Sequence, residues 1–212
     1  MEGTLQLARE LIKRQITPIL FSSDYVFDGK RGDYSETSPL SPINEYGRQK
    51  AELERRMEEE CRGAYLMLRC SKVYGLEWGD GSLIDQMRGP LLRGERIRAA
   101  SDQVFAPLFV DDLIAAIEAL QEKGCRGLFN LCGPEVWCRL ELAYALAEQL
   151  GVARELIEPI ELADLNCPYG LPKCTTLNCR KFSEATSLLL TPLSASLATL
   201  PTVIPCEHAQ PF

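Results

Sequence analysis

Tyr46 and Lys50 stand four residues apart in the charged run "NEYGRQKAELERRMEE", residues 44–59. Four residues is about one helical turn, so both side chains share a face. A phenol can give its proton to a carbonyl oxygen while hydride reaches the carbonyl carbon. Its ordinary pKa of about 10 is high for reversible use near neutrality. Lowering it by roughly three units takes about 4 kcal/mol, and an exposed lysine supplies at most about 1 kcal/mol. The chemistry therefore needs a dry site, a second cation such as an oxidised nicotinamide ring, and a hydroxyl to hold the carbonyl. The doublet Ser22-Ser23, closing an apolar run, offers that hydroxyl. The spacing alone fits a solvated pair on a surface helix equally well, so the flanking elements decide.

Residues 2–15 have helical spacing, with Leu5, Leu7, Ala8, Leu11 and Ile12 on one side. "TPILFSS", 17–23, reads as a short buried strand, followed by a polar loop holding Asp28-Gly29 and Gly32. The charged helix then covers 45–61, and "AYLMLRC", 64–70, is a second strand. Residues 82–94 are helical, with Pro90 expected to break or kink them. Asp111 and Asp112 open a helix over 111–123, their carboxylates at the positive end of its dipole. A strand at 127–132, a helix closed by Gly151 and a strand at 156–160 complete the readable part. Beyond 162 the pattern decays, and "TSLLLTPLSASLATLPTVIP", 186–205, is apolar without periodicity, so no element is assigned there. Alternating strands and helices predict an α/β fold with a parallel sheet, in which ligands sit at the carboxyl ends of the strands. Ser22 and Ser23 stand at such an end.

Bulk properties narrow the function. The 212 residues suffice for one domain with a sizeable core, and 46% hydrophobic with 25% charged residues is ordinary for a globular protein. A net charge of −7 argues against nucleic acid as a partner. Neither a signal peptide nor a membrane span is recognisable, which predicts a cytoplasmic protein with no membrane partner. The nine cysteines are odd in number and form no C-x-x-C pair, consistent with reduced, mostly buried thiols. Cys167, Cys174 and Cys179 are too widely spaced for a convincing metal site, and His208 is the one histidine. That lone histidine also disfavours a Ser-His-Asp triad.

The stretch "FSSDYVFDGKRGDYSETSPLSPINEYGRQKAELE", 21–54, resembles the extended short-chain dehydrogenase/reductases of the dTDP-4-dehydrorhamnose reductase group. That group has a strand ending Ser/Thr-Asp-Tyr-Val-Phe-x-Gly, an acidic proline-bearing loop, then Tyr-Gly-x-x-Lys. "LRCSKVYG" (68–75), "SDQVFAPLFVDDL" (101–113) and "GLFNLCGPEVWCRLELA" (127–143) are similar to its later segments. The resemblance covers roughly 2–180 and is most specific in 21–53. It implies Tyr46 as proton donor, Lys50 as the group that lowers the phenol's pKa and holds the nicotinamide ribose, and Ser23 as the hydroxyl that orients the carbonyl. Ser22 then faces the backbone. The resemblance further implies NADP or NAD as cofactor and a nucleotide-linked 4-keto-6-deoxysugar as substrate. Arg69 and Lys72 fit equally a substrate pocket that meets a diphosphate and a solvated pair of charges, and the resemblance suggests sugar or base contacts for Gln103 and Phe105. Asp24, Tyr25, Phe27 and Asp28 shape the loop, Glu52 and Arg56 form a surface pair, and Glu58, Glu59 and Glu60 make a wet face.

The Gly-x-x-Gly-x-x-Gly turn with which that group cradles the cofactor pyrophosphate does not occur; only the pairs 29/32 and 124/127 have the spacing. The expectation is a partial doubly wound, Rossmann-like parallel sheet with a small C-terminal substrate-binding subdomain. Residues 1–180 form a truncated NAD(P)- and substrate-binding domain, and 181–212 a tail of undefined structure. The resemblance leaves a second outcome open, a non-catalytic regulatory subunit similar to the beta subunit of methionine adenosyltransferase. Either way the chain is expected to form a homo-oligomer or to pair with a partner enzyme.

Overall fold

The computed structural model of the chain describes residues 2–165 and 167–201. Helix α1 (Glu2–Lys13) buries Leu5 and Ala8, with Ile12 packed beside them. Leu7, expected on the same side, is 61% exposed, because one turn advances by 3.6 residues and rotates it off that stripe. Strand β1 (Ile19–Ser23) leads into a 3₁₀ turn at Asp24–Val26, and after a long loop α2 runs over Glu45–Cys61. Asn44 caps α2 by accepting the Gly47 amide at 2.8 Å; Arg62 and Gly63, both left-handed, end it.

Strands β2 (Leu66–Cys70) and β3 (Val73–Tyr74) are followed by α3 (Leu83–Leu92). Pro90 lies inside α3 rather than breaking it: its missing N–H removes one ladder bond, and the helix ends two residues later. Next come β4 (Ile97–Ala100), β5 (Val104–Phe105), β6 (Leu108–Phe109) and α4 (Val110–Glu122). The chain continues through β7 (Gly127–Leu131), β8 (Trp137–Cys138), α5 (Arg139–Leu150) and β9 (Ile157–Ile160). Two helices, α6 (Arg180–Thr186) and α7 (Leu193–Ala198), occupy the stretch where the sequence shows no clear period.

The main sheet is parallel in the order β1-β2-β7, with Ser23 opposite Cys70 and Cys70 opposite Leu131 at its carboxyl end. All five residues of β2 are buried, as a central parallel strand covered on both faces requires. Alternation divides them. Leu66, Leu68 and Cys70 join α4 and α6 through Ala116, Leu120 and Phe182. Met67, with Tyr65 just before the strand, joins α1 and α2 through Leu5, Ala8, Leu53 and Met57. This is a Rossmann-like α/β arrangement.

A second core gathers α3, α5, α7, β4 and β9 around Leu91, Leu142, Leu146, Leu193 and Leu197. The pairs β4-β9 and β3-β6 are parallel and β5-β8 is antiparallel. Within 181–201, for which no element was expected, α6 seals the first core and α7 the second. His208 lies outside the described residues.

Candidate active site

The carboxyl ends of β1 and β2 open onto a cleft of about 450 Å³, walled by Ser22, Ser23, Asp24, Tyr25, Tyr46, Cys70, Ser71 and Lys72. Its two sides are held by local chemistry. Ser23 accepts the Tyr25 amide at 3.2 Å and so starts the 3₁₀ turn, which carries the chain away from the strand end. Across from it, the Asn44 cap puts Tyr46 in the first turn of α2 and Lys50 one turn further along the same face. Gly47 lets these sides meet, because a Cβ there would collide with the carbonyl oxygen of Tyr25. Gly47→Ala should therefore destabilise the protein by about 1–3 kcal/mol, read by urea unfolding. A neutral result would show that the two sides do not close as described.

Tyr46 is half exposed, its ring edge-on to Tyr25 at 6.0 Å between centroids. The Lys50 ammonium is 5.7 Å from the Tyr46 ring centroid and donates to the Phe21 carbonyl at 2.9 Å. The structure thus brings together all three expected residues, Ser23, Tyr46 and Lys50. It does not show the expected lowering of the phenol. Burial pushes Tyr46 upward, the Ser23 hydroxyl acts in the opposite direction, and the Asp24 charge raises it further. Tyr46 stays protonated at neutral pH, which suits a proton donor.

Asp24 is 2% exposed. Its Oδ1 accepts the Ser23 hydroxyl at 3.0 Å, while Oδ2 has no hydrogen-bond partner. Burial raises its pKa, and the Lys72 charge counters in part. A carboxyl that holds its proton more tightly when folded makes the fold lose stability as pH rises through its unfolded pKa of about 3.9 toward its folded one. Asp24→Asn cannot ionise. The stability of the variant relative to the parent should therefore grow from about pH 4 upward and level off above the folded value. Taking the difference cancels carboxylates of opposite sign, such as Asp28, which the Tyr34 hydroxyl holds below the usual range. A difference flat across pH would contradict a raised Asp24.

Sequence reasoning passed over a second tyrosine–lysine contact in this cleft. Lys72 donates to the Tyr25 hydroxyl at 3.2 Å and lies over the Tyr25 and Phe105 rings. The signal for it, Lys72 two residues beyond a buried strand, was visible but not tied to Tyr25. Cys70 also reaches the cleft, but burial, reinforced by the Asp24 charge, pushes its thiol up to about 12. It is no nucleophile at neutral pH.

Several expected roles are corrected. Ser22 does not face the backbone; its hydroxyl donates to Glu54 in a buried contact. Arg69, 1% exposed, grips Glu54 and the Asn130 side chain on the sheet face toward α2, because adjacent strand residues point to opposite faces. Gln103 and Phe105 are buried, and Gln103 accepts from Arg139 at 2.6 Å. Glu52 pairs with Arg55 rather than Arg56, which instead joins Glu2 and Glu60. The expected wet face is thus partly an ion-pair seam between α1 and α2. Among the described residues no cluster of three or more potential ligands could hold a metal, and no helix is long and apolar enough to cross a membrane.

Comparisons with known proteins agree with this architecture. Residues 1–202 match the family described as the RmlD substrate binding domain. A relative in Haloferax volcanii, "Probable low-salt glycan biosynthesis reductase Agl14", is 30% identical over 169 residues, 78% of this chain and 56% of that protein. Methionine adenosyltransferase 2 subunit beta of Danio rerio is 27% identical over 170 residues, 77% of this chain and 52% of that one. This chain thus spans about half the length of these relatives. In structure it is similar to a dTDP-4-dehydrorhamnose reductase of Bacillus anthracis in complex with NADP. The TM-score is 0.79 at 22% identity, covering 88% of this chain and 65% of that one, a likeness of fold.

Proposed function

The chain belongs to the family of the RmlD substrate binding domain, and from that premise we propose that it carries the proton-transfer side of an NAD(P)H-dependent sugar-nucleotide reductase. The substrate class is a nucleotide-linked 4-keto-6-deoxysugar. The supporting observation is that Ser23 and Tyr46 face one open cleft at the carboxyl end of β1, with Lys50 held beside Tyr46 by the Phe21 carbonyl.

The cleft fits the nicotinamide end of a dinucleotide: it lies at the strand ends, and Lys50 stands one turn from Tyr46 with hydrogens to spare for a ribose. The sequence holds no glycine turn for the pyrophosphate, so this chain's own residues supply only that end of the cofactor site. When bound, the reduced nicotinamide, of NADPH or NADH, supplies the hydride. The protein's residues do the rest. Tyr46 gives its hydroxyl proton to the carbonyl oxygen, and its raised pKa keeps that proton available at neutral pH. Ser23 holds the same oxygen once its hydroxyl turns from Asp24. Lys72, in the wall of the cleft, offers a cation to a substrate phosphate. A cytoplasmic setting is part of this reading.

The test is to incubate the purified chain with a dTDP-4-keto-6-deoxysugar and either NADPH or NADH, following loss of the reduced nicotinamide. Consumption that requires the sugar supports the reading. A folded chain that binds the sugar nucleotide without consuming either cofactor overturns it.

The similarity to a methionine adenosyltransferase beta subunit favours one other reading: a non-catalytic subunit that pairs with a partner enzyme. Comigration with a methionine adenosyltransferase catalytic subunit in gel filtration, without reductase turnover, would select it.

A further inference from the structure

Behind the active cleft, Cys132 and Cys179 hold their sulfurs 3.2 Å apart, closer than ordinary non-bonded contact, although 47 positions separate them in the chain. Cys132 follows the carboxyl end of β7, and Cys179 immediately precedes α6. Among the described residues no other two thiols are hydrogen-bonded to each other. Cys132 also donates to the Leu177 carbonyl at 3.4 Å, and the Cys179 contact holds its thiol below the ordinary range.

The segment carrying Cys179 is a strap. Val104 donates to Lys173 and Thr175 to Val104; Cys174 donates to Gly29, Tyr34 to Thr176 and Asn178 to Tyr34, all through backbone. The strap thereby backs the loop 24–34, which supplies Asp24 and Tyr25 to the cleft. Its junction with the sheet rests on Asn130, whose side chain donates to the Tyr34 and Asn178 carbonyls, and on the two thiols.

We propose that Cys132 and Cys179 form an oxidisable dithiol, whose disulfide staples the strap to the end of β7 and fixes the back wall of the cleft. The oxidant is a small peroxide. Cys132 is 7% exposed and Cys179 partly exposed beside it, so a molecule near the size of water is the class that reaches the pair. The Cys132 thiolate attacks one peroxide oxygen, the O–O bond breaks, and the departing hydroxide takes up the proton Cys132 gave to solvent, leaving a sulfenic acid. Cys179 then attacks the Cys132 sulfur; the S–S bond forms, the S–O bond breaks, and the hydroxide leaves as water with the Cys179 proton. Two thiols and one hydrogen peroxide give one disulfide and two waters. Sulfur is oxidised and peroxide oxygen reduced. The sulfurs must approach by roughly 1.2 Å to reach bonding distance, which rotation about the side-chain torsions supplies.

The inference is independent of the reductase reading, because it is read on the thiols and not on turnover. The experiment titrates the reduced, folded chain with hydrogen peroxide, blocks remaining thiols with an alkylating reagent, and maps peptides by mass spectrometry without reduction. The expected result is a Cys132–Cys179 cross-linked peptide about 2 Da lighter than the two reduced peptides together, reversed by dithiothreitol. The two thiols should leave the alkylatable pool in step and ahead of Cys61 and Cys70. Thermal unfolding of the oxidised chain should rise by roughly 5 °C or more, because the cross-link closes a long loop. Cys179→Ser should abolish the cross-link and the rise, leaving Cys132 to stop at the sulfenic or sulfinic acid. The wild-type peptide map stands on its own should that variant fold poorly. Cys132 and Cys179 both still alkylatable after the other thiols have reacted, or either one oxidised singly, overturns the proposal.

Discussion

Tyr46→Phe should lower reductase turnover by about two to four orders of magnitude while changing sugar-nucleotide affinity only a few fold. The ring stays, with its edge contact to Tyr25 and its place in the first turn of α2. Only the hydroxyl is lost, and with it the proton that must reach the carbonyl oxygen. Stability should hold within about 0.5 kcal/mol, because the side chain is half exposed and the hydroxyl lies toward the cleft. Single-turnover kinetics with wild type and variant at saturating sugar separates binding from chemistry. An unchanged chemical step would remove Tyr46 from the reaction, and a lost step with unfolding would assign it to the fold instead.

Glu54→Gln should be among the costliest single changes in the molecule, about 3–5 kcal/mol. Glu54 and Arg69 are 6% and 1% exposed and are joined through both carboxylate oxygens. Arg69 continues to the Asn130 side chain at 3.0 Å, and Ser22 donates to Glu54, so one network ties β1, α2, β2 and β7. The amide leaves the guanidinium charge buried without its counter-charge, which costs more than the pair itself contributes. For a chain of this size the loss corresponds to a fall in Tm of roughly 10 °C. Replacing both partners with apolar residues, Glu54→Leu with Arg69→Met, should recover most of it. A cost below about 1 kcal/mol for the single change would mean that the neighbouring cleft of about 610 Å³ hydrates the pair.

Sequence and structure agree best where the signals are local. The bounds of α2 were legible because Asn44 before Tyr46 is a capping residue and glycine follows the last turn. The strands of the main sheet were legible from their apolar runs. The pairs β3-β6, β4-β9 and β5-β8 were not, since strands of two to four residues carry no usable period and are set by partners far along the chain. Leu193 and Leu197 of helix α7, with Leu200 just beyond it, stand at helical spacing, but the preceding run Leu188-Leu189-Leu190 blurs it; Leu189 is 92% exposed.

The site divides in the same way. The Tyr46–Lys50 spacing was readable, and so was a serine at the strand end. The raised Asp24 was not: its burial is a property of the tertiary fold, and the groups that counter it, Lys72 and Thr175, lie far along the chain. Arg69 carried a signal that was misread. A lone arginine inside "AYLMLRC" demands a buried counter-charge, and Glu54, fifteen positions earlier, provides it.

On the proposed reading, the cleft beside Ser23, Tyr46 and Lys50 holds the nicotinamide end of a dinucleotide. The most direct measurement is a calorimetric titration of NADPH into the wild-type chain and into Lys50→Met, each first shown to unfold cooperatively. Saturable binding by the wild type, weakened about tenfold or more by the loss of the charged, hydrogen-bonding lysine, is the predicted result. No binding by the folded wild type, or equal binding by both, would contradict it.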